Sequence, residues 1–138
     1  MPNKNFGRQH RDRQRRDTRA QWSATTQGFY EPSTTGCPET RQEYELDDPD
    51  FRLMQRLIVC DNKLVEYAIV LTRFQAERWV EVYSVDTRHG TLHEHKSGHQ
   101  RSGDRRDVRP LYTQVDVQES FDDPAMEMVL EKYRRMRN

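Results

Sequence analysis

Apolar residues are scattered over the first third of the chain, but from Phe51 onward they settle into a period of two. Phe51, Leu53, Leu57 and Val59 alternate with Arg52, Met54, Arg56 and Ile58, which predicts a half-buried strand whose apolar face is interrupted by Gln55. Asp61-Asn62-Lys63 reads as a turn, because Asp and Asn bond their own backbone and tolerate positive φ. A second strand is expected from Leu64 to Phe74, with Val65, Tyr67, Ile69 and Leu71 on one face, so the pair forms a hairpin. After Gln75-Ala76-Glu77, a third strand from Arg78 to Val85 is partly apolar on both sides, as in a central strand covered on each face. Asp86 to Gly90 then turns the chain, with Gly90 at the position needing positive φ, and Thr91 to His95 forms a short fourth strand.

From Lys96 to Arg109 the pattern is polar and basic, which predicts a long loop, and Val108, Leu111 and Tyr112 offer a fifth strand at the edge, where Pro110 is tolerated. The last element is a helix. Asp122-Asp123-Pro124 supplies an N-cap and a proline at the first helical position. Ala125, Met128, Val129 and Met136 form its apolar stripe with Tyr133 on the flank, and Lys132, Arg134, Arg135 and Arg137 suit the negative end of its dipole. The expected fold is α+β: an antiparallel β-meander of four strands, five if the edge strand forms, with a C-terminal helix packed on the sheet. This domain occupies residues 51–138, small enough that a homodimer would be a reasonable way to bury more surface.

Residues 1–50 show neither period, and a mean hydropathy of -1.17 fits a chain with a disordered N-terminal arm. The formal net charge is zero but segregated. Residues 1–20 carry +5, from Lys4, Arg8, Arg11, Arg13, Arg15, Arg16 and Arg19 against Asp12 and Asp17. Residues 31–50 carry −6, from seven carboxylates against Arg41. Clustered arginines such as Arg11, Arg13, Arg15 and Arg16, and the pair Arg105 and Arg106, are candidates for contact with a nucleic-acid backbone. The acidic stretch that follows the first cluster also suits a solvated tail with no partner. Cys37 and Cys60 lack the spacing of a zinc ribbon or of a disulfide framework, and the basic N-terminus lacks the apolar core of a signal peptide. No apolar run reaches the ~18 residues of a membrane span. Reduced thiols and a cytoplasmic location, with no membrane partner, are expected.

Four of the five histidines, His89, His93, His95 and His99, fall just after the central strand. Residues two apart on a strand share a face, so His93 and His95 project together. That spacing lets two imidazoles reach one metal ion, zinc above all, with His89, His99 or Asp86 as third ligand. No other cofactor is implied. The same pair also suits general acid–base cleavage of a phosphodiester. In that reading Asp86 orients one ring, and Arg88, Lys96 or Arg105-Arg106 stabilise phosphoryl charge. A structural role is the third reading: Asp86 and Arg88 pair across the turn, Gly90 shapes it, and His89 bonds backbone.

At these residues the chain resembles a family of small proteins common in actinobacteria and their phages. Their signature, Trp-x6-Asp-x-x-His-Gly-x-x-His, is matched by Trp79, Asp86, His89, Gly90 and His93. More distantly it is similar to the toxin subunit of TumE-type toxin–antitoxin modules. Ser84 and Val85 stand in place of that toxin's Arg-Tyr, and Thr87 in place of its Asn. The resemblance implies a meander sheet with a terminal helix, and a toxin-like or RNase-like activity on RNA with a cognate antitoxin protein as partner. Its catalytic set would be His93, His95, His89, Asp86 and Arg88. The alternatives are a non-catalytic interaction or nucleic-acid-binding module, and a metal-binding protein using His93, His95 and His99.

Overall fold

The computed structural model describes residues 29–96 and 105–137, and within them the fold is α+β, as the alternating pattern implies. Six antiparallel strands lie side by side in chain order: β1 (Glu39–Glu45), β2 (Phe51–Cys60), β3 (Lys63–Gln75), β4 (Arg78–Asp86), β5 (Thr91–His95) and β6 (Arg105–Pro110). Two helical segments, α1 (Gln114–Ser120) and α2 (Met126–Met136), follow. The two long hairpins turn on pairs of left-handed residues, Asp61-Asn62 and Ala76-Glu77, whose backbone twist matches that of the flanking strands. No helix among the described residues is long and apolar enough to cross a membrane.

One face of the sheet carries the core. Phe51 and Leu53 on β2, Tyr67, Ile69 and Leu71 on β3, Tyr83 and Val85 on β4 and Leu92 on β5 pack against Val117, Ala125, Val129 and Tyr133 of the helical segments. The expected face of β3 is therefore the core face at Tyr67, Ile69 and Leu71, but at the start of the strand Leu64 and not Val65 joins the core. On β2, Leu57 and Val59 pack against the core but are only partly buried, while Ile58 between them is buried; the register with β3 shifts between Ile58 and Val59, where Val65 of β3 is the extra residue. The Tyr67 hydroxyl shares a 2.7 Å hydrogen bond with Ser120 Oγ, which donates to the Val117 carbonyl, tying the sheet to the end of α1.

Several expectations are corrected. The sheet has six strands, not four or five. The domain begins before residue 51: Phe29 is buried, and β1 pairs with β2 along its whole length. Every β1 residue is exposed, so this edge strand has no buried face to impose an alternating pattern. The expected disorder of residues 1–28, and their arginines, lie outside the described residues. Cys37 and Cys60 form a disulfide rather than staying reduced. That pairing bears on the expected cytoplasmic location, since disulfides persist mainly in oxidising compartments. The polar segment expected to be a loop ends in β6, an edge strand with Pro110 as its last residue and Val108 within it, while Leu111 and Tyr112 follow it and are buried.

The helix also starts earlier. Thr113 caps α1 through its side chain, and Asp116 completes a capping box. Asp122-Asp123-Pro124 does not open the helical region but divides it: Asp123 is extended (φ −169°) between two helical stretches, and helical backbone begins again at the expected proline. In α2 the buried positions are Val129 and Tyr133, one turn apart, with Ala125 a turn earlier. Tyr133 lies at the centre of the stripe rather than on its flank, because its hydroxyl reaches Asp47 and accepts from the Asp48 N–H.

Candidate metal centre

The face of the sheet away from the helices is organised in two adjacent rows. Cross-strand partners place Arg56, Ala68, Asp86 and His93 in one row, continued by Arg41 on β1 and Asp107 on β6. Met54, Val70, Ser84 and His95 form the next row, continued by Glu43 and Arg105. Residues directly opposite each other in an antiparallel pair project to the same side at a Cβ separation of about 5 Å. The sheet thus brings Asp86, the last residue of β4, against both histidines of β5.

The contact is close. His93 Nε2 lies 2.8 Å from Asp86 Oδ1, and His95 Nε2 lies 3.3 Å from Asp86 Oδ2. The two imidazoles meet edge to face with centroids 5.0 Å apart. All three side chains are largely shielded from solvent, with exposures of 5% for Asp86, 3% for His93 and 11% for His95. One potential ligand atom from each lies within 4.8 Å of the other two.

The ring nitrogens of His93 have distinct jobs. Nδ1 lies 3.2 Å from the Thr91 carbonyl oxygen and 3.2 Å from Thr91 Oγ1. A carbonyl can only accept, so Nδ1–H is the donor in that bond, and Nε2 is turned toward the carboxylate. An unprotonated Nε2 and a carboxylate oxygen at 2.8 Å would be two acceptors facing each other, so a proton or a cation must lie between them. Anchoring one ring N–H on backbone while the other nitrogen faces a shared point is the usual support of a metal-ligating histidine. Thr91 is itself held by Arg105, whose Nη2 donates to Oγ1 at 3.4 Å.

Asp86 is kept ionised. Burial alone would raise its pKa, but the hydrogen bond and positive charge of His93, the Arg88 N–H (3.1 Å from Oδ1) and the charge of His95 outweigh it and hold the carboxyl below the ordinary carboxylate range.

The remaining expected site residues are dispersed. His89 is left-handed (φ 63°), exposed and bonded through Nδ1 to Glu31 Oε2 at 3.2 Å, so it is not part of the cluster. Arg88 meets Asp86 only through its backbone, and its guanidinium lies 3.5 Å from Glu66. Arg105 and Arg106, being neighbours on a strand, face opposite ways: Arg105 pairs with Asp107 beside the histidines, while Arg106 binds Glu94 on the helix side. Lys96 lines a cleft on that helix side, with Tyr83 and Lys132. His99, Arg11, Arg13, Arg15 and Arg16 lie outside the described residues.

Two residues of the site escape a reading of the sequence alone. Thr91 orients His93, and Ser84 lies directly across from His95 with its Oγ buried and without a hydrogen-bond partner among the described residues. The signal for Ser84 was its parity with Asp86 on the same strand. Comparison with protein-family models, curated proteins and solved structures finds no match, so the chemistry of the cluster rests on its own geometry.

Proposed function

We propose that the chain binds a divalent transition metal through Asp86, His93 and His95. The observation that carries this reading is the convergence of two imidazole nitrogens and one ionised carboxylate, shielded from water, on a single point. Donors bonded to one zinc ion at ~2.0–2.2 Å are separated by roughly 2.9–3.5 Å for bond angles between octahedral and tetrahedral. The carboxylate–imidazole distances of 2.8 and 3.3 Å are close to that range. The widest pair, within 4.8 Å, has to close by up to about 1.3 Å to reach that range. Two imidazoles and a carboxylate suit zinc and also iron(II), and three protein ligands leave room for a water or a substrate on the metal.

Burial of both rings against the same carboxylate favours this reading over cleavage of RNA by an imidazole pair, which needs the scissile phosphate between the rings. The two also respond differently to chelation, since imidazole-only cleavage survives EDTA and metal-dependent chemistry does not. The direct test is the metal content of EDTA-stripped protein after dialysis against a small excess of Zn2+ and then against metal-free buffer. About one zinc per chain is expected for the wild type, and a small fraction of that for Asp86→Asn and for His93→Ala/His95→Ala, with folding checked by circular dichroism. A wild-type chain that retains no zinc, or folded variants that retain it in full, would overturn the proposal.

A further inference from the structure

The same face of the sheet holds a cavity of about 260 Å3 to which Asp86 contributes a wall. Its floor is apolar, from Met54, Ala68 and Val70, all members of the two rows that contain the cluster. Ser84 and Arg88 also line it, and both have hydrogen-bonding capacity to spare. Ser84 is 2% exposed, and its buried Oγ has no hydrogen-bond partner among the described residues, an unfavourable state for a hydroxyl kept from water. Arg88 is about half exposed, and among the described residues its ion pair is a 3.5 Å approach to Glu66, a carboxylate that already accepts from Arg56 at 2.8 Å. Arg56 by contrast is paired with both Glu39 and Glu66. Glu81 and Arg41 contribute charges of opposite sign to the rest of the lining.

We infer that this cavity takes a small organic carboxylate as a co-ligand of the metal, an inference that rests on the metal reading above. One oxygen of the acid takes an open position on the metal and accepts a hydrogen bond from Ser84 Oγ–H. Its hydrocarbon portion lies on Ala68 and Val70, and its far carboxylate binds the unspent N–H donors of Arg88. A guanidinium fits a carboxylate with two parallel hydrogen bonds, which makes this pairing stronger than one to a neutral oxygen. The cavity has room for a small molecule on the scale of a four-carbon diacid.

The test uses the full chain loaded with one equivalent of Co2+, whose visible absorption reports its ligands, titrated with succinate and with the uncharged succinamide. Succinate is expected to change the spectrum saturably, and to bind roughly ten-fold or more tightly than succinamide. Arg88→Gln is expected to take up Co2+ but to lose that ten-fold advantage, and Ser84→Ala to weaken succinate binding by a smaller factor. A Co2+ spectrum indifferent to succinate, or equal succinate affinity in wild type and Arg88→Gln, would overturn the inference while leaving the metal site intact. Failure of the wild type to bind Co2+ at all would instead remove the metal reading and the inference with it.

Discussion

Gly90→Ala is the substitution with the most clearly defined cost. Gly90 ends the turn between Asp86 and His93 with φ +77°, a left-handed conformation that costs an L-residue about 1–2 kcal/mol. A Cβ built there would stand 2.4 Å from Phe29 Cβ and 3.3 Å from the Phe29 carbonyl carbon. Phe29 cannot easily retreat. Its ring is buried and packs edge-on against Tyr112 at 4.9 Å. The strand end beyond it is also fixed, because the Tyr30 N–H donates to the Leu111 carbonyl and the Leu111 N–H to the Gly90 carbonyl, each at 2.9 Å. Overpacking of this kind adds about 1–3 kcal/mol, for a total of roughly 2–5 kcal/mol. With a urea slope of about 1.5 kcal/mol/M, a loss of 3 kcal/mol lowers the midpoint by about 2 M. Urea unfolding followed by circular dichroism measures it. Because the closest atom is the Phe29 Cβ, a Phe29→Gly background should reduce the cost of Gly90→Ala to the backbone component, giving a coupling of about 1–3 kcal/mol in a double-mutant cycle. A cost below about 1 kcal/mol, or no coupling, would refute the contact between this N-terminal segment and the turn that feeds the site.

Other consequences follow from the same packing. Tyr67→Phe removes the hydroxyl bonded to Ser120 while Ser120 keeps its bond to Val117, so a loss of about 1 kcal/mol is expected in urea unfolding, and no loss would mean the sheet–helix tie carries nothing. For Cys37–Cys60, which are 23 residues apart, the loop-entropy relation gives about 3 kcal/mol, so Cys37→Ser/Cys60→Ser should unfold at correspondingly lower urea, and a purified wild type with two alkylatable thiols would contradict the bond. Burial opposes ionisation of Glu94, but the Tyr83 hydroxyl and Arg106 outweigh it and hold its pKa below the ordinary value. A carboxylate depressed in the folded state stabilises fully above its unfolded pKa, about 4.3, and that contribution is lost as pH falls through the folded value. Glu94→Gln should therefore flatten the stability–pH curve below about pH 4–5, and an unchanged acid slope would count against the buried network.

The strands β2 and β3 were legible because one face of each carries most of the core, and burial writes a period of two into Tyr67, Ile69 and Leu71. The first edge strand was not, since Glu39–Glu45 is exposed along its whole length, and the last was placed only through Val108, since Arg105 to Asp107 are exposed. The start of the helical region was obscured because Asp122-Asp123-Pro124 has the chemistry of a helix beginning, while the true cap at Thr113 sits behind a buried Leu-Tyr pair that reads as strand. The shared face of His93 and His95 follows from parity alone. What parity does not show is register: that Asp86 lies opposite His93 and Ser84 opposite His95 depends on the length of the turn closed by Gly90. The same limit made His89 a candidate ligand by proximity in the chain, although the left-handed turn sends it toward Glu31.

The measurement that bears most directly on the centre is an anomalous difference map from crystals of the Zn2+-loaded protein, recorded on both sides of the zinc absorption edge. The expected result is one peak at ~2.0–2.2 Å from an Asp86 carboxylate oxygen and from Nε2 of His93 and His95. A peak at other side chains, or none at this cluster in fully loaded crystals, would contradict the assignment.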